Sequence, residues 1–546
     1  MGYAHLYGVC SQVGAAAIPE SARTDEAAKG NRWVTITLFG EAIGGQFERG
    51  VSQYPTVGDE VHLVTTSDLA TIYGSASSNT SLTVGTLAAA SGIDGRLDLG
   101  ALVARHCAVV GSTGSGKSNF VATLLESIVE QGYSSARVLV VDPHGEYGST
   151  VEDTGYVFRV GPEADNERAL VVPFWALPFD ELCQIAMGGM QQTQEAAIRD
   201  LVAELKMEAA QYLDNVPPET AITADSPIPF SIRRLWYELD DYERRTYQVK
   251  GASLATLVVQ GSAEGLVSNI YPPANPGGAA PFLGPRRGIT RQLELLKSRL
   301  LDERYQFLFS PGGDFTPDVD GRVTADIHSL LASWVGHDLG VTVLDVSGLP
   351  SEAVSAVVGT VLRIIYDVLF WACDLPMGGR QQPLLIVLDE AHIFLPEGAD
   401  STAHRSVARI AKEGRKYGVG LMVVSQRPTE VDSSVLSQCA TMISLRLTND
   451  RDRGRVASLV PDDLAGLTGM LPSLRTGEGL VVGEAMPIPS RIRFRKACRK
   501  PVGNDPNLAT GWRGDQRPDP AQYADAVRNW RRQSTLNEVE IEEAAE

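Results

Sequence analysis

The chain has 546 residues, a formal net charge of −19, 43% hydrophobic residues and 21% charged residues. This length predicts two to four domains with sizeable cores, and the composition is that of an ordinary globular protein without a transmembrane helix. The acidic balance excludes a nucleic-acid footprint over the whole surface, but a ring can be acidic outside and basic along its channel.

The cysteines and the first residues indicate the cellular compartment. Six cysteines are scattered without a C-x-x-C pair, which fits neither a disulfide framework nor a zinc site. The first eight residues lack the basic and apolar regions of a signal peptide. We therefore expect reduced thiols and a cytoplasmic protein.

Residues 1–100 differ in pattern from the rest of the chain. Short β-branched or aromatic runs at 33–39, 60–65 and 81–84 are separated by Gly, Asp and Ser turns. This spacing predicts a small N-terminal β-barrel or sandwich domain.

Residues 111–118 read Gly-Ser-Thr-Gly-Ser-Gly-Lys-Ser, a complete phosphate-binding loop between a strand-like run at 108–110 and a helical pattern at 119–130. Lys117 would reach the β- and γ-phosphates, and the Ser118 hydroxyl would take a Mg²⁺ position. The sequence thus predicts ATP and Mg²⁺ as cofactors. The residues predicted to bind the nucleotide are Gly111, Ser112, Thr113, Gly114, Ser115, Gly116, Lys117, Ser118 and Asn119.

Strands and helices alternate after residue 101, which predicts a parallel α/β sheet of the P-loop NTPase type, with a RecA-like core. We assign the core to 101–163 and 336–496, a mostly helical insertion to 164–335, and a C-terminal arm to 497–546. The insertion is a lid or a subunit-contact element, and the sequence does not decide between them. Further predicted elements are strands at 137–142, 340–346, 384–388, 419–425 and 441–447, helices at 351–373, 402–416 and 521–532, and a hairpin at 479–484 and 491–495.

The run Leu-Leu-Ile-Val-Leu at 384–388 is followed by Asp389 and Glu390. Parallel α/β sheets place their ligands at the carboxyl ends of the strands. Asp389 would hold the Mg²⁺ shell, and Glu390 would be the base that orients the attacking water. The alternative is an acidic pair at the start of a helix.

Two further polar residues end predicted strands. Gln426 follows the strand at 419–425 and is a candidate sensor of the γ-phosphate, or else a solvated loop residue. Asp142 ends the strand at 137–142 and would position water near the triphosphate, or else cap a turn.

A basic helix end at 409–416 contains Arg415, which would act as an arginine finger on the nucleotide of a neighbouring subunit. Arg409 lies close enough to keep the choice open, and Arg105 is a second candidate. The ordinary alternative is that cations suit the end of a helix.

Together these residues resemble the HerA family of hexameric ATPases, in the same broader group as the FtsK-type DNA translocases. The marks, in order, are residues 111–119, 142–147, 388–392, 413–418 and 425–428. Residues 1–100 resemble the family's barrel, and 491–546 resemble its C-terminal arm.

The resemblance implies a homohexamer that hydrolyses ATP at subunit interfaces and threads or holds double-stranded DNA. It also implies a partner docked on the barrel face, either a nuclease or, in bacterial relatives, a sirtuin-like NADase in anti-phage defence. The family's trans-acting arginine maps most naturally to Arg415, and Arg409 lies close enough to keep the choice open. Two alternatives stay open: an ATP-gated scaffold ring that regulates an effector with little translocation, and a transporter ATPase, which the missing Leu-Ser-Gly-Gly-Gln signature disfavours.

Overall fold

A computed structural model describes residues 5–14, 33–74, 80–214, 217–251, 253–460, 462–502, 512–513, 520 and 522–532. Its centre is a twelve-stranded mixed sheet, and a three-stranded antiparallel sheet lies near the N-terminus. The strands are β1 His5–Gly14, β2 Trp33–Ile43, β3 Gln46–Arg49, β4 Ser81–Leu87, β5 Ala90–Asp98, β6 Cys107–Val110, β7 Arg137–Asp142, β8 Gly155–Arg159, β9 Glu167–Ala169, β10 Thr246–Tyr247, β11 Phe282–Leu283, β12 Val341–Asp345, β13 Leu384–Leu388, β14 Val419–Ser425, β15 Thr441–Ser444, β16 Glu478–Gly483 and β17 Ser490–Phe494.

The helices pack mainly on the two faces of the large sheet. They are α1 Thr66–Gly74, α2 Leu99–Ala104, α3 Lys117–Glu130, α4 Phe179–Met187, α5 Gln192–Ala210, α6 Ile232–Arg244, α7 Thr290–Leu301, α8 Gln306–Phe309, α9 Ile327–Val335, α10 Ser351–Trp371, α11 Thr402–Glu413, α12 Ser433–Leu436, α13 Asp450–Leu459 and α14 Gln522–Arg532. Most core strands and helices predicted from periodicity are therefore present.

The large sheet has the order β5-β4-β17-β16-β15-β6-β14-β13-β7-β12-β8-β9. The strands from β15 to β9 are parallel, as predicted, whereas β16, β17, β4 and β5 extend the sheet in antiparallel fashion. The predicted hairpin is the β16–β17 pair. Beyond the predicted core, the sheet gains the antiparallel strands β4 and β5 and the parallel edge strand β9, which lies within residues 164–335.

Alternate residues of each central strand enter two different apolar layers. In β13, Leu384, Ile386 and Leu388 face the layer formed with α10, α11 and the helices between residues 179 and 335. Leu385 and Val387 face the layer formed with α2 and α3. Burial on both faces explains the uninterrupted apolar sequence of this strand.

The predicted N-terminal barrel is wrong for the described residues. Strands β1, β2 and β3 form an open antiparallel sheet. Strand β4 pairs with β17 and with β5, so residues 81–98 belong to the large sheet and the boundary at residue 100 is misplaced. Residues 60–65 are exposed and form no strand, although their sequence alternates as a strand would.

Helix α10 is long and apolar enough to cross a membrane by length and composition, and it alone meets that test among the described residues. Two observations identify it as a core helix. In its most apolar window, 67% of the residues are buried inside the protein. Gly359 also lets α11 approach closely, because a Cβ there would lie 2.4 Å from the Ala403 nitrogen.

Candidate active site

The sheet register brings the predicted site residues to one edge. Strand β6 runs directly into the phosphate-binding loop, and its Val110 pairs with Ser425, the residue before Gln426. On the other side of β14, Leu388 of β13 pairs with Val423 and with Val141 of β7. The carboxyl ends of four neighbouring parallel strands therefore carry Gly111, Gln426, Asp389 and Asp142. This is the edge where α/β sheets bind ligands.

The loop at 111–118 has the backbone of an anion cradle. Gly114 and Gly116 take positive φ values of 70° and 109°, which are accessible to glycine without steric cost. Helix α3 begins at Lys117 without a side-chain cap, which leaves its first N–H groups for a phosphate. The Gly477 nitrogen donates to the Ser115 carbonyl over 2.9 Å and fixes the loop from the β16 side.

The Asn119 side chain is engaged away from the phosphate-binding loop. Its amide nitrogen donates to the Arg495 carbonyl over 2.9 Å, and its amide oxygen accepts from the Ala497 nitrogen over 3.1 Å. Arg495 also pairs with Glu126 of α3 at 3.1 Å. The Asn119 side chain thus fastens the segment after β17 to α3, and only its backbone N–H in the first helical turn is left for a nucleotide.

Asp389 is buried at the end of β13 with both carboxylate oxygens engaged. Its Oδ1 accepts from the Glu390 nitrogen over 2.9 Å, and its Oδ2 accepts from the Tyr147 hydroxyl over 3.0 Å. The Ser118 side chain lies close enough to the Tyr147 hydroxyl to interact with it. Burial, and then the charge of Glu390, raise the pKa of Asp389 to about 7. A carboxylate in such a setting is the type of group that a divalent cation stabilises.

The residues present fit Mg²⁺. Ser118 and Asp389 offer a hydroxyl and a carboxylate oxygen, which are hard ligands. The Tyr147 hydroxyl bonds to Asp389 and interacts with Ser118, so both groups lie near it beside the loop that would hold the phosphates. Tyr147 lies within the motif 142–147, but nothing in the sequence indicates its contact with Asp389.

Glu390 has the features expected of a base beside the γ-phosphate. Its backbone is left-handed, with φ 42° and ψ 49°, a conformation that non-glycine residues rarely adopt outside functional sites. Burial opposes ionisation, but His392, whose Nδ1 lies 3.3 Å from Oε2, and the charge of Lys117 lower the pKa of the carboxyl. Glu390 is therefore ionised near neutral pH and can accept a proton.

Gln426 contacts the phosphate-binding loop directly, because its Oε1 accepts from the Thr113 hydroxyl over 2.6 Å. The side chain is thus held beside the loop, as a γ-phosphate sensor requires. Asp142 behaves differently. It is fully buried, and its carboxylate accepts from the backbone nitrogens of His144, Gly145 and Tyr147 at 3.2, 2.9 and 2.9 Å.

These contacts match the turn-capping alternative for Asp142. Burial raises its pKa to about 6 in spite of the backbone hydrogen bonds. The carboxylate shapes the turn that presents Tyr147 to Asp389. Asp142 is thus a positioning residue, and its predicted role toward water stays a prediction.

Arg415 and Arg105 lie at the opposite edge of the sheet. Arg415 belongs to a 3-10 helix, Gly414–Tyr417, that directly precedes β14, and Arg105 directly precedes β6. A seven-residue strand separates the two edges by roughly 20 Å, so neither residue reaches the loop of its own chain. Arg105 pairs with Glu484 at 2.7 Å, whereas the exposed Arg415 side chain has no ion pair or hydrogen bond with the described residues.

Arg409 is engaged within its own chain. Its guanidinium donates to Asp367 over 2.8 Å and lies over the Tyr366 and Phe370 rings at 4.7 and 5.7 Å. These contacts join α11 to α10. Of the three arginines, Arg415 is the one whose charge is uncommitted in the described part of the chain.

These features define a P-loop NTPase: one edge of a parallel sheet carries a phosphate-binding loop, a pair of carboxylates and a polar residue at the end of the adjacent strand. Comparison with known proteins gives the family. The family model "Helicase HerA, central domain" matches residues 82–365, starting within β4. This chain belongs to the HerA helicase family and is an ATP-hydrolysing P-loop enzyme.

Two archaeal relatives align over most of the chain. A DNA double-strand break repair helicase HerA of Pyrococcus furiosus is 26% identical over 463 residues, covering 80% of this chain and 73% of the relative. The protein of the same name from Sulfolobus acidocaldarius is 26% identical over 461 residues, covering 84% and 77%.

Two solved structures are also similar. VirB4 of Thermoanaerobacter pseudethanolicus covers 77% of this chain and 97% of its own, with 16% identity and a TM-score of 0.48. The plasmid coupling protein TrwB, in complex with a non-hydrolysable ATP analogue, covers 78% of this chain and 91% of its own, with 15% identity and a TM-score of 0.42.

Proposed function

We propose that this chain is the subunit of a homohexameric ring motor that hydrolyses ATP at its subunit interfaces and acts on double-stranded DNA. One observation carries the proposal of a shared site. Glu390 and the phosphate-binding loop lie at the carboxyl edge of the sheet, while Arg415 is exposed and uncommitted at the opposite edge. Such a site is completed when one subunit presents Arg415 to the loop of the next.

Each residue has a distinct part in hydrolysis. Lys117 and the N-terminus of α3 hold the phosphates, and Glu390 accepts the proton of the attacking water. Arg415 of the neighbouring subunit stabilises the charge that develops on the γ-phosphoryl group, which is worth about 10³- to 10⁵-fold in rate for an arginine finger. When bound, Mg²⁺ would be held by Ser118 and Asp389 and would neutralise phosphate charge.

Subunit mixing tests the shared site. Glu390→Gln and Arg415→Ala rings should each be nearly inactive, but mixed rings contain interfaces that combine an intact Glu390 with an intact Arg415. ATPase activity should therefore reappear on mixing, with a maximum near equal amounts. Arg409→Ala serves as the matched control, since its rings should keep most of their activity. Failure of rescue at every ratio, with mixed assembly verified by mass, would contradict the trans role.

The DNA substrate is inferred from the relatives, whose names describe DNA double-strand break repair helicases. Duplex DNA should raise the ATPase rate of the wild-type ring. If turnover ignores duplex DNA but responds to a co-purified effector, the ring is an ATP-gated scaffold and not a motor.

We place the effector, a nuclease or a sirtuin-like NADase, on the N-terminal region, as the family resemblance implies. The surface of residues 54–64 supports this placement because Val57 and Leu63 are fully or almost fully exposed, at 107% and 94%. Tyr54 and Val61 on the same segment are exposed as well, at 78% and 75%. Exposed apolar side chains mark interaction sites where they form one contiguous patch. Co-purification with wild-type chain and with Val57→Ser/Leu63→Ser should capture the effector only with the former. Equal capture would move the docking site elsewhere.

A further inference from the structure

The Tyr147 hydroxyl lies between the two groups assigned to Mg²⁺. It donates to Oδ2 of Asp389 over 3.0 Å and lies close enough to the Ser118 side chain to interact with it. No other described side chain hydrogen-bonds to the Asp389 carboxylate. One phenol therefore links the strand that carries the acidic pair to the first turn of α3.

Tyr147 is itself held rigidly. The side chain is fully buried, and its ring belongs to the apolar layer under α3. Its nitrogen donates to Asp142 over 2.9 Å, and its carbonyl accepts from the Thr150 nitrogen and hydroxyl at 2.9 and 2.6 Å. With backbone and ring both fixed, the hydroxyl has one available position.

This arrangement fixes the orientation of Asp389. Its Oδ1 is held by the Glu390 nitrogen and its Oδ2 by Tyr147, so rotation of the carboxylate would break both hydrogen bonds. Carboxylate and hydroxyl ligands bind a cation well only when their oxygens are already aimed at it. Groups that hydrogen-bond to metal ligands typically contribute about 10- to 100-fold to metal affinity.

We propose that Tyr147 is a positioning residue of the metal site, which presents the Asp389 and Ser118 oxygens to Mg²⁺ in fixed register. The inference rests on the proposed function, because it takes Ser118 and Asp389 as the metal ligands. It differs from a purely structural role, in which the hydroxyl would stabilise the fold and leave metal affinity unchanged.

The test separates metal affinity from nucleotide affinity. All variants carry Glu390→Gln, so that ATP is bound without turnover. The affinity for ATP is measured by calorimetry in EDTA. Mg²⁺ is then titrated into the ATP complex in metal-free buffer without EDTA. Tyr147→Phe should raise the Mg²⁺ concentration at half-saturation by about 10-fold or more, with ATP affinity in EDTA unchanged. Tyr147→Met, which fills the same space without a hydroxyl, should give the same increase.

Tyr73→Phe is the matched control. Tyr73 is also buried, and its hydroxyl bonds to Ser490 over 2.6 Å, so the variant removes an equivalent hydroxyl away from the phosphate-binding loop. It should lower thermal stability without changing the Mg²⁺ midpoint. An unchanged Mg²⁺ midpoint in both Tyr147 variants overturns the inference, as does an equal increase in Tyr73→Phe.

Asp389→Asn distinguishes this failure from failure of the proposed site. If Asp389→Asn weakens Mg²⁺ binding and the Tyr147 variants do not, only the role of Tyr147 is wrong. If Asp389→Asn also leaves Mg²⁺ binding unchanged, the metal assignment itself is wrong, and the inference is wrong with it.

Discussion

Replacing Glu390 by glycine should abolish turnover and stabilise the protein. Glu390 has a left-handed backbone with φ 42°, and an L-residue in that region costs roughly 1–2 kcal/mol relative to glycine. The residue is kept there by the ends of β13 and of the following 3-10 helix, where the Ile393 nitrogen donates to its carbonyl over 2.9 Å. Glycine can adopt the same backbone without strain.

Two opposing contributions set the magnitude. Relief of strain contributes roughly 1–2 kcal/mol, and the greater freedom of glycine in the unfolded chain removes about 0.5–1 kcal/mol. We expect a net stabilisation of about 0.5–1 kcal/mol, which corresponds to an increase of about 1–4 °C in the melting midpoint of a domain this large.

The assay is thermal melting without nucleotide, together with ATPase rates. Glu390→Gln removes the charge but keeps the backbone strain, so it should melt below Glu390→Gly while being equally inactive. Leu266→Gly is the control, since Leu266 has a similar φ of 54° but a side chain that is only 2% exposed. Loss of that packing should destabilise by about 2–5 kcal/mol. If Glu390→Gly melts no higher than Glu390→Gln, the strain argument is refuted.

Three further predictions follow from the contacts of the site. Asn119→Ala should lower the free energy of unfolding by about 1–2 kcal/mol through two lost hydrogen bonds, while calorimetry shows ATP affinity nearly unchanged; a large loss of affinity would restore the side chain to the nucleotide site. Arg409→Ala should cost about 1 kcal/mol, measured by melting, and keep most ATPase activity, unlike Arg415→Ala. The raised pKa of Asp389, about 7, means that the folded state binds more protons than the unfolded state between pH 4 and 7. In EDTA its contribution to stability should therefore fall as pH rises through that window, and Asp389→Asn should melt with a flatter pH profile; an unchanged profile would contradict the shift.

The sequence predicted the centre of the molecule because its signals there are local. A buried parallel strand such as 384–388 is an apolar run, and a phosphate-binding loop is a contiguous octapeptide. Since the carboxyl ends of parallel strands share an edge, the positions of Asp389 and Gln426 follow from the strand assignments alone. The metal and proton-transfer roles are predictions that the geometry accommodates.

The errors arose where partners are distant in sequence. Residues 60–65 alternate like a strand, but a strand also needs a neighbouring strand to pair with, and local sequence does not show whether one is available. Strand β4 pairs with β17, about 400 residues away, which is why its place in the large sheet was not predicted. Tyr147 was missed for the same reason, because its hydrogen bond joins residues 242 positions apart. A tyrosine in a turn gives no local sign that it contacts an acid on another strand.

If Arg415 completes the site of a neighbouring subunit, as proposed, each subunit presents Arg415 on one side of the sheet and its phosphate-binding loop on the other. Such head-to-tail contacts add subunits in one direction. All of these surfaces are paired only when the last subunit contacts the first and the ring closes. An open assembly of such subunits would always have one phosphate-binding loop that receives no Arg415 from a neighbour. In a closed ring, every loop would receive one. Full ATPase activity per subunit would then indicate a closed ring. A subunit that lacks Arg415 would inactivate the site of its neighbour, whereas one that lacks Glu390 would inactivate its own.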